Sequence, residues 1–183
     1  MIRGFSNYTR EELINSLFSV GENVYISDDV ILHNPRNISI GNNVRIDSQC
    51  ILIAGKDTRI KIGNDVHISV GCYYYGNSGN ITLEDSVCTS ARCTLYTAND
   101  DYTDGYMANS MAPKEYKKVT TGDILIKKYS LVGCYTAILP NVTLEHATSV
   151  GAHSLVTKST IPFDIIAGVP AKFVKKRKNI YLN

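Results

Sequence analysis

The sequence predicts an all-β protein in which short parallel strands wind into a solenoid of three-faced coils. Aliphatic residues recur at a strict spacing of six, and most are followed four positions later by a small hydroxyl residue. Neither an α-helix nor a simple alternating strand has this period. A coil with three flat faces does, because each face directs one aliphatic side chain into a narrow interior and the coils stack. The aliphatic residues are Ile126, Val132, Ile138, Leu144, Val150 and Val156, and the hydroxyl residues are Ser130, Thr136, Thr148, Ser154 and Thr160.

Earlier segments keep the same register with short interruptions. Their aliphatic or equivalent positions are Ile40, Ile46 and Leu52, then Ile62, Ile68 and Tyr74, then Leu83, Thr89 and Leu95. In these coils the small-residue position holds Cys50, Cys72 and Cys93. Buried packing is the usual role of a free cysteine, so these three are expected to be stacked interior residues without a redox role.

Three regions interrupt or flank the coils. Residues 1–22 form an N-terminal cap, in which 9–19 reads as an amphipathic helix opened by a Thr9/Glu12 capping box and covering the first coil. The coils occupy 23–161 and are interrupted at 97–123, a polar excursion loop of the length that usually carries function. Residues 162–183 are expected to leave the coil as a basic C-terminal tail.

Composition limits the classes of partner. The chain has 183 residues, enough for one domain with a sizeable core, and a net charge of +2, too small to indicate nucleic-acid binding. It contains no apolar run of membrane-spanning length and no signal-peptide-like stretch. We therefore expect a cytoplasmic protein with neither a nucleic-acid nor a membrane partner.

Several motifs in the second half are more specific than the period alone. They are Val132-Gly133-Cys134, Ile138-Leu139-Pro140-Asn141-Val142, Val150-Gly151-Ala152, Val156-Thr157-Lys158 and Ala167-Gly168-Val169-Pro170-Ala171-Lys172. With the repeats they make the chain resemble the hexapeptide-repeat acyltransferases, especially sugar O- and N-acetyltransferases of the maltose and galactoside type. The resemblance implies a left-handed parallel β-helix, a homotrimer, acetyl-CoA as co-substrate and a small-molecule sugar acceptor. The hand comes from the resemblance, because crossovers between parallel strands are normally right-handed.

In that family acetyl-CoA lies in the groove between neighbouring subunits, with its pantetheine arm on the coil backbone. The small residues Gly133, Cys134, Gly151 and Ala152 match the positions beside this arm, although they also suit a tight coil corner. Thr157, Lys158, Lys172, Lys175 and Arg177 match the part that meets the CoA phosphates, where cations form charge-assisted contacts. A solvated basic tail is the alternative for these cations. No metal is expected.

The chain departs from the family in the excursion loop. The catalytic histidine of the maltose and galactoside enzymes ends a Tyr-Thr-Ala-Thr-His motif, and the matching stretch here is Tyr96-Thr97-Ala98-Asn99-Asp100, in a loop without histidine. Among the remaining histidines His67 is the candidate base, because it should point out of the coil beside the acceptor-binding turn. Asp100 and Asp101 are the loop carboxylates expected to approach it. Ser69, Tyr75 and Asp104 are the acceptor-binding candidates.

The missing loop histidine bears on the acceptor. A sugar hydroxyl needs a positioned base, whereas an amine that is partly neutral near pH 7 needs mainly orientation. The sequence therefore favours acetyl transfer to an amino or hydroxyl group of a sugar, foremost a nucleotide-linked amino sugar used for surface polysaccharide synthesis. The alternatives are O-acetylation of a neutral sugar with His67 as base and, in a different class, a non-catalytic structural β-helix. A γ-type carbonic anhydrase is disfavoured, because the characteristic grouping of zinc-binding histidines is missing.

Overall fold

The computed structural model describes residues 6–178, which contain one α-helix and 22 strands. Helix α1 spans Arg10–Ser16, and two 3₁₀ helices span Pro35–Asn37 and Lys114–Tyr116. Within residues 6–178 no helix is long and apolar enough to cross a membrane. The strands are β1 (Ser19–Val20), β2 (Val24–Ile26), β3 (Ile31–His33), β4 (Ile38–Ile40), β5 (Val44–Ile46), β6 (Ile51–Ala54), β7 (Ile60–Ile62), β8 (His67–Ile68), β9 (Tyr73–Gly76), β10 (Ile81–Leu83), β11 (Cys88–Thr89), β12 (Thr94–Tyr96), β13 (Ala98–Asp100), β14 (Val119–Thr121), β15 (Ile124–Ile126), β16 (Leu131–Val132), β17 (Ala137–Ile138), β18 (Thr143–Leu144), β19 (Ser149–Val150), β20 (Leu155–Val156), β21 (Asp164–Ala167) and β22 (Lys172–Lys176).

Three sheets of stacked strands form the faces of a triangular prism. The first face has the order β1-β4-β7-β10-β15-β18, the second β2-β5-β8-β11-β16-β19-β21-β22, and the third β3-β6-β9-β12-β17-β20. All neighbours within these faces are parallel except β21 and β22, which are antiparallel. The predicted fold class, an all-β left-handed parallel β-helix, is confirmed.

The interior is the column of hexad residues that the sequence predicts. Every aliphatic position of the repeat is buried, and Cys50, Cys72 and Cys93 are fully enclosed beside them. The largest enclosed side chain is Tyr74, whose hydroxyl forms a 2.6 Å hydrogen bond with the Thr89 hydroxyl. Because a buried hydroxyl without a partner is costly, this pair explains why a tyrosine and a threonine occupy aliphatic positions in neighbouring coils.

The corner between the first and second faces uses left-handed backbone. Asn23, Asn43, Asp65 and Ser86 occupy it in successive coils, with φ between 53° and 58°. Asparagine and aspartate tolerate this conformation better than other side chains. Their side chains also stack, since the amide of Asn23 donates to Asn43 and that of Asn43 donates to Asp65, each at 3.0 Å. The corner residues thus tie one coil to the next.

The N-terminal helix closes the first coil as predicted, but it ends at Ser16 instead of residue 19, because Ser19 already begins β1. Thr9 caps α1, and the capping box with Glu12 is present in both directions. Leu13 and Leu17 are buried in the core, so the helix covers the open end of the hydrophobic column. Exposed apolar ends are otherwise a liability of solenoids.

Two further boundaries differ from those predicted. Thr97 belongs to the coil, because it is fully buried and its hydroxyl donates to the Tyr75 carbonyl at 2.7 Å. The excursion that follows starts as an antiparallel pair of β13 and β14. The C-terminal segment does not leave the coil at residue 162, since β21 pairs with β19 in parallel and β22 then folds back on β21. Buried Asp164, which accepts a 2.8 Å bond from Lys176, holds this return.

Candidate functional site

One corner of the prism carries three of the predicted site residues, Ser69, Gly133 and Gly151, in a single line. Asp47, Ser69, Ser90, Gly133 and Gly151 each follow the inward residue of a second-face strand, and we call them the corner column. The amide of each donates at 2.8–2.9 Å to a carbonyl of the next coil along the chain. Strand spacing places successive members roughly 4.8 Å apart. The column therefore runs along the edge between the second and third faces.

The peptide groups of the corner column have a uniform direction. Buried thiols and hydroxyls donate to their carbonyl oxygens: Cys50 to Ser69 at 3.1 Å, Cys72 to Ser90, Cys93 to Gly133 and Thr136 to Gly151, each of these at 3.2 Å. A trans peptide directs its N–H opposite to its C=O. The N–H groups of Val70, Ala91, Cys134 and Ala152 consequently face outward, one per coil. The interior cysteines thus help to set a row of external backbone donors.

Close contacts between neighbouring coils of one chain explain why two positions of the column are glycine. A Cβ at Gly133 would lie 2.6 Å from the Ala152 nitrogen and 2.8 Å from the Gly151 carbonyl carbon. At Gly151 it would lie 2.9 Å from the Ala167 Cβ. Coil stacking therefore explains both glycines, whereas Ala152 is exposed and meets no such demand. Cys134 is half-buried beside it.

The predicted phosphate-binding residues divide into two groups. Thr157, Lys158, Lys172 and Lys175 are exposed near the C-terminal end of the prism. Arg177 instead donates to the Tyr129 carbonyl at 2.9 Å and the Ala147 carbonyl at 3.4 Å. Its guanidinium thus fastens the returning strand to a coil corner, a structural role that the sequence analysis did not foresee.

His67 has a carboxylate partner different from the one expected. Its Nε2 lies 2.9 Å from Asp47 Oδ2, and Arg45 Nε donates to Asp47 Oδ1 at 2.7 Å. Asp47 belongs to the preceding coil, so His67 leans toward the N-terminal end of the prism. Burial tends to raise the pKa of Asp47, but the bonds from Arg45 and His67 outweigh it and leave that pKa below its ordinary value.

The loop carboxylates lie elsewhere on the prism. Asp100 is half-buried in β13, opposite Val119 of β14, and the loop leaves from the third face. Asp101 pairs with Lys118 at 2.9 Å, and Asp104 with the same lysine at 3.3 Å. Hydrogen bonds from Lys118, then from Thr103, hold the pKa of Asp101 below its ordinary value. Asp101 and Asp104 therefore brace the loop, and the expectation that Asp101 approaches His67 within one chain was wrong.

Tyr75 and Ser69 are separated by the corner. Ser69 is a half-buried member of the corner column on the second-face side. Tyr75 lies on the third face in an aromatic ladder, with its ring 5.0 Å from that of Tyr96 and nearly parallel to it. Among residues 6–178 no group of three or more histidine, cysteine, aspartate or glutamate side chains is arranged to hold a metal.

Comparison with known proteins identifies the family. No protein-family model matches the chain. Over 159 residues, 87% of this chain, it is 39% identical to a dTDP-4-amino-4,6-dideoxy-D-glucose acyltransferase of Escherichia coli, of which it covers 82%. The chain belongs to the hexapeptide-repeat acyltransferases. A putative acetyltransferase of Staphylococcus aureus is 31% identical over 170 residues, 93% of this chain and 71% of that protein.

Solved structures agree with this family. AntD, an N-acyltransferase from Bacillus cereus solved with dTDP and 3-hydroxybutyryl-CoA, superposes with a TM-score of 0.88 at 39% identity, covering 96% of this chain and 92% of AntD. A galactoside acetyltransferase in complex with coenzyme A superposes with a TM-score of 0.58 at 22% identity, covering 91% of this chain and 68% of that one. This likeness supports the fold alone.

This acyltransferase has one candidate that sequence reasoning missed. AntD was also solved as variants of a serine and of an aspartate that are ten positions apart. Because the two chains align almost end to end, the serine–aspartate pair with this spacing in the corresponding region is Ser90 and Asp100. Asp100 was already a candidate. Ser90 was not, because its small hydroxyl looked like any other corner residue of the repeat.

Proposed function

We propose that the protein transfers a short acyl group, acetyl in the first instance, from an acyl-CoA to the amino group of a dTDP-linked 4-amino-4,6-dideoxy sugar. The observation that carries the proposal is the 39% identity, over most of both chains, to an acyltransferase of that substrate. The missing loop histidine supports it, because an amine needs less help from a base than a hydroxyl does. Surface polysaccharide synthesis is the proposed use of the product, and the cytoplasm, where acyl-CoA is made, the proposed location.

The chemistry follows from the row of external N–H groups. The neutral amine attacks the thioester carbonyl, and an outward N–H of the row, at Ala91 or Cys134, stabilises the oxyanion that forms. Collapse of the tetrahedral intermediate breaks the C–S bond, leaving an amide and a CoA thiolate. The thiolate then takes the proton that the nitrogen has lost. Asp100 accepts a hydrogen bond from the amine and orients it, and the Ser90 hydroxyl lies beside the attacked carbon.

His67 is not the base in this proposal. Its Nε2 is bonded to Asp47, on the side of the coil away from Ser90. O-acylation of a neutral sugar would require His67 to act as base, and its pairing with a carboxylate is the one feature that favours this second function. Along the second face His67 lies two strands from Gly133 and Asp47 three, and this separation from the acyl-CoA row favours N-acylation.

The site requires a second copy of the chain. Ser90 and Ala152 lie at the corner between the second and third faces, whereas the loop with Asp100 leaves where the third face meets the first. A catalytic site that uses both regions therefore combines the corner column of one chain with the loop of its neighbour. A closed ring of three such contacts gives a homotrimer. The exposed apolar residues of the loop, among them Tyr102 at 73% and Met111 at 87%, are suited to such an interface.

Mixing two impaired variants tests this arrangement. Ala152→Leu obstructs the acyl-CoA row, and Asp100→Asn removes the acceptor contact, so each homotrimer is impaired. If the two residues come from different chains, random co-assembly restores an intact pair at about one quarter of the interfaces. Activity well above the sum of the separate variants is expected after co-refolding. Activity no higher than that sum, with mixed trimers verified by mass, would contradict a site shared between chains.

Kinetics of Asp100→Asn test the function itself. Loss of a charge-assisted hydrogen bond to the amine should reduce kcat/KM for the amino sugar roughly 10- to 100-fold. The matched control is Asp101→Asn, which removes a neighbouring carboxylate that is bonded to Lys118 instead. CoA release is measured with acetyl-CoA and the dTDP-linked amino sugar. Equal losses in the two variants would assign the effect to the loop rather than to acceptor binding.

A further inference from the structure

A cleft lies on the first coils, beyond the region that the proposed reaction uses. It encloses about 530 Å³, and Tyr25, Arg45, Asp47 and Val70 are among the residues that line it. Tyr25, Arg45 and His67 are neighbours in register on the outside of the second face. The side chains of Tyr25 and Arg45 are mostly exposed along this side of the prism. The cleft thus joins an aromatic ring, an arginine and an apolar floor.

The arginine of this cleft is held in a fixed orientation. Asp47 accepts from Arg45 Nε with one carboxylate oxygen and contacts His67 with the other, so its charge is already compensated. Among the residues that the structure describes, Arg45 is bound through Nε alone, and 70% of its side chain is exposed. Within that part of the chain its two terminal nitrogens remain available. A guanidinium presented in this way suits bidentate binding of phosphate oxygens.

The cleft also lies at a suitable place along the corner column. With the amine at Ser90 and the acyl-CoA extending over Gly133 and Gly151, the rest of the acceptor extends toward Asp47. Asp47 is two strands from Ser90, or roughly 10 Å. In a nucleotide sugar the sugar ring and two phosphates separate the reacting amine from the nucleoside. A phosphate-binding site at Arg45, followed by a nucleobase-binding site farther from Ser90, matches this order of sugar, diphosphate and nucleoside.

We propose that this cleft binds the nucleoside diphosphate portion of the acceptor, an inference that rests on the proposed function. Arg45 binds the diphosphate, the Tyr25 ring stacks on the pyrimidine, and Val70 contacts the base methyl group. Asp47 and His67 are positioning residues that hold Arg45. Stacking on an aromatic ring contributes affinity without a demand for sequence-specific hydrogen bonds.

Calorimetric titration of dTDP into the intact protein, without acyl-CoA, tests the assignment. Arg45→Ala should weaken dTDP binding at least about tenfold, since charged hydrogen bonds are lost. Tyr25→Ala should weaken it as well, and Tyr25→Phe should retain it because the ring remains. The matched control is Lys61→Ala, an exposed cation on the first face. Coenzyme A binding, measured on the same samples, should be unchanged in all four variants.

The outcomes separate this inference from the proposed function. Wild-type protein that binds dTDP, together with an Arg45→Ala variant that binds it equally well, would overturn the cleft assignment and leave the proposed function standing. Wild-type protein that turns over an amino sugar but binds no dTDP would overturn two claims. These are that the acceptor sugar is linked to dTDP and that the cleft binds the nucleotide. In steady-state kinetics Arg45→Ala should raise KM for the nucleotide sugar with kcat retained within about twofold. Arg45→Lys keeps the charge without the planar fork. Its KM for the nucleotide sugar should therefore lie between that of wild type and that of Arg45→Ala.

Discussion

Gly133 and Ala152 are in contact across neighbouring coils, yet the structure gives different reasons for their small size. A Cβ at Gly133 would lie 2.6 Å from the Ala152 nitrogen, whereas ordinary contact begins at 3.4 Å. Gly133→Ala therefore requires the coils to separate locally by the difference, about 0.8 Å. The bond from the Gly133 amide to the Val150 carbonyl, now 2.8 Å, would be lost at that separation. The atoms in the way are backbone and cannot rotate aside.

The expected cost combines this strain with one lost hydrogen bond. Overpacking costs about 1–3 kcal/mol and the bond about 1 kcal/mol, so we expect a loss of roughly 2–4 kcal/mol of stability. For a chain of this size that lowers Tm by roughly 5–15 °C. Ala152→Leu should leave Tm unchanged, because Ala152 is exposed, and should weaken acyl-CoA binding roughly 10- to 100-fold by covering the external N–H row.

Thermal unfolding of the ligand-free protein, at one scan rate for all variants, is the assay for the first effect. Titration of acetyl-CoA is the assay for the second. A Gly133→Ala variant with wild-type Tm and impaired acyl-CoA binding would refute the stacking explanation. An Ala152→Leu trimer that binds acetyl-CoA normally would refute the proposed course of the pantetheine arm.

Four further predictions concern other parts of the chain. His67→Ala should keep kcat within about tenfold of wild type when the nucleotide sugar is saturating, and a loss of about 100-fold or more would make His67 the base. Tyr74→Phe should cost about 1–2 kcal/mol in thermal unfolding, because Thr89 loses its buried partner. The pKa of Asp47 is lower in the folded state, so its stabilisation is complete above the ordinary carboxyl pKa and is lost as pH falls through the folded one. Asp47→Asn should therefore be less stable than wild type near neutral pH, and the two should converge only at pH values below the lowered pKa of Asp47 in the folded state. Light scattering at micromolar concentration should give the mass of three chains, and a stable monomer would contradict an interface site.

Much of the fold could be predicted because the period of six is a direct consequence of a three-faced coil. Ile138 and Val150 are buried where the spacing puts them, and Cys72 lies in the interior with them. The segment after residue 161 was misjudged for a physical reason. Ile166 continues the buried column, but it is ten residues beyond Val156, so the register is shifted and a strict search for sixes misses it.

The site could be predicted only in part. Asp100 was a candidate because a family motif supplies the expectation of a histidine at that position. The pairing of His67 with Asp47 was not predictable from spacing, because it joins outward side chains of successive coils and no hydrophobic pattern records them. Ser90 carried no signal either, since serine is an ordinary corner residue in this repeat. Outward residues are free to vary, so the repeat leaves no pattern from which their roles could be predicted.

The most direct test of the central claim is the identity of the bond formed. Purified protein is incubated with acetyl-CoA and either dTDP-4-amino-4,6-dideoxyglucose or the corresponding 4-hydroxy sugar nucleotide. The products are analysed by mass spectrometry and NMR. We predict an amide at the sugar nitrogen, with no ester formed from the hydroxy compound at the same enzyme concentration. Acetylation of the hydroxy compound at a comparable rate, or an ester product from the amino sugar, would contradict the claim.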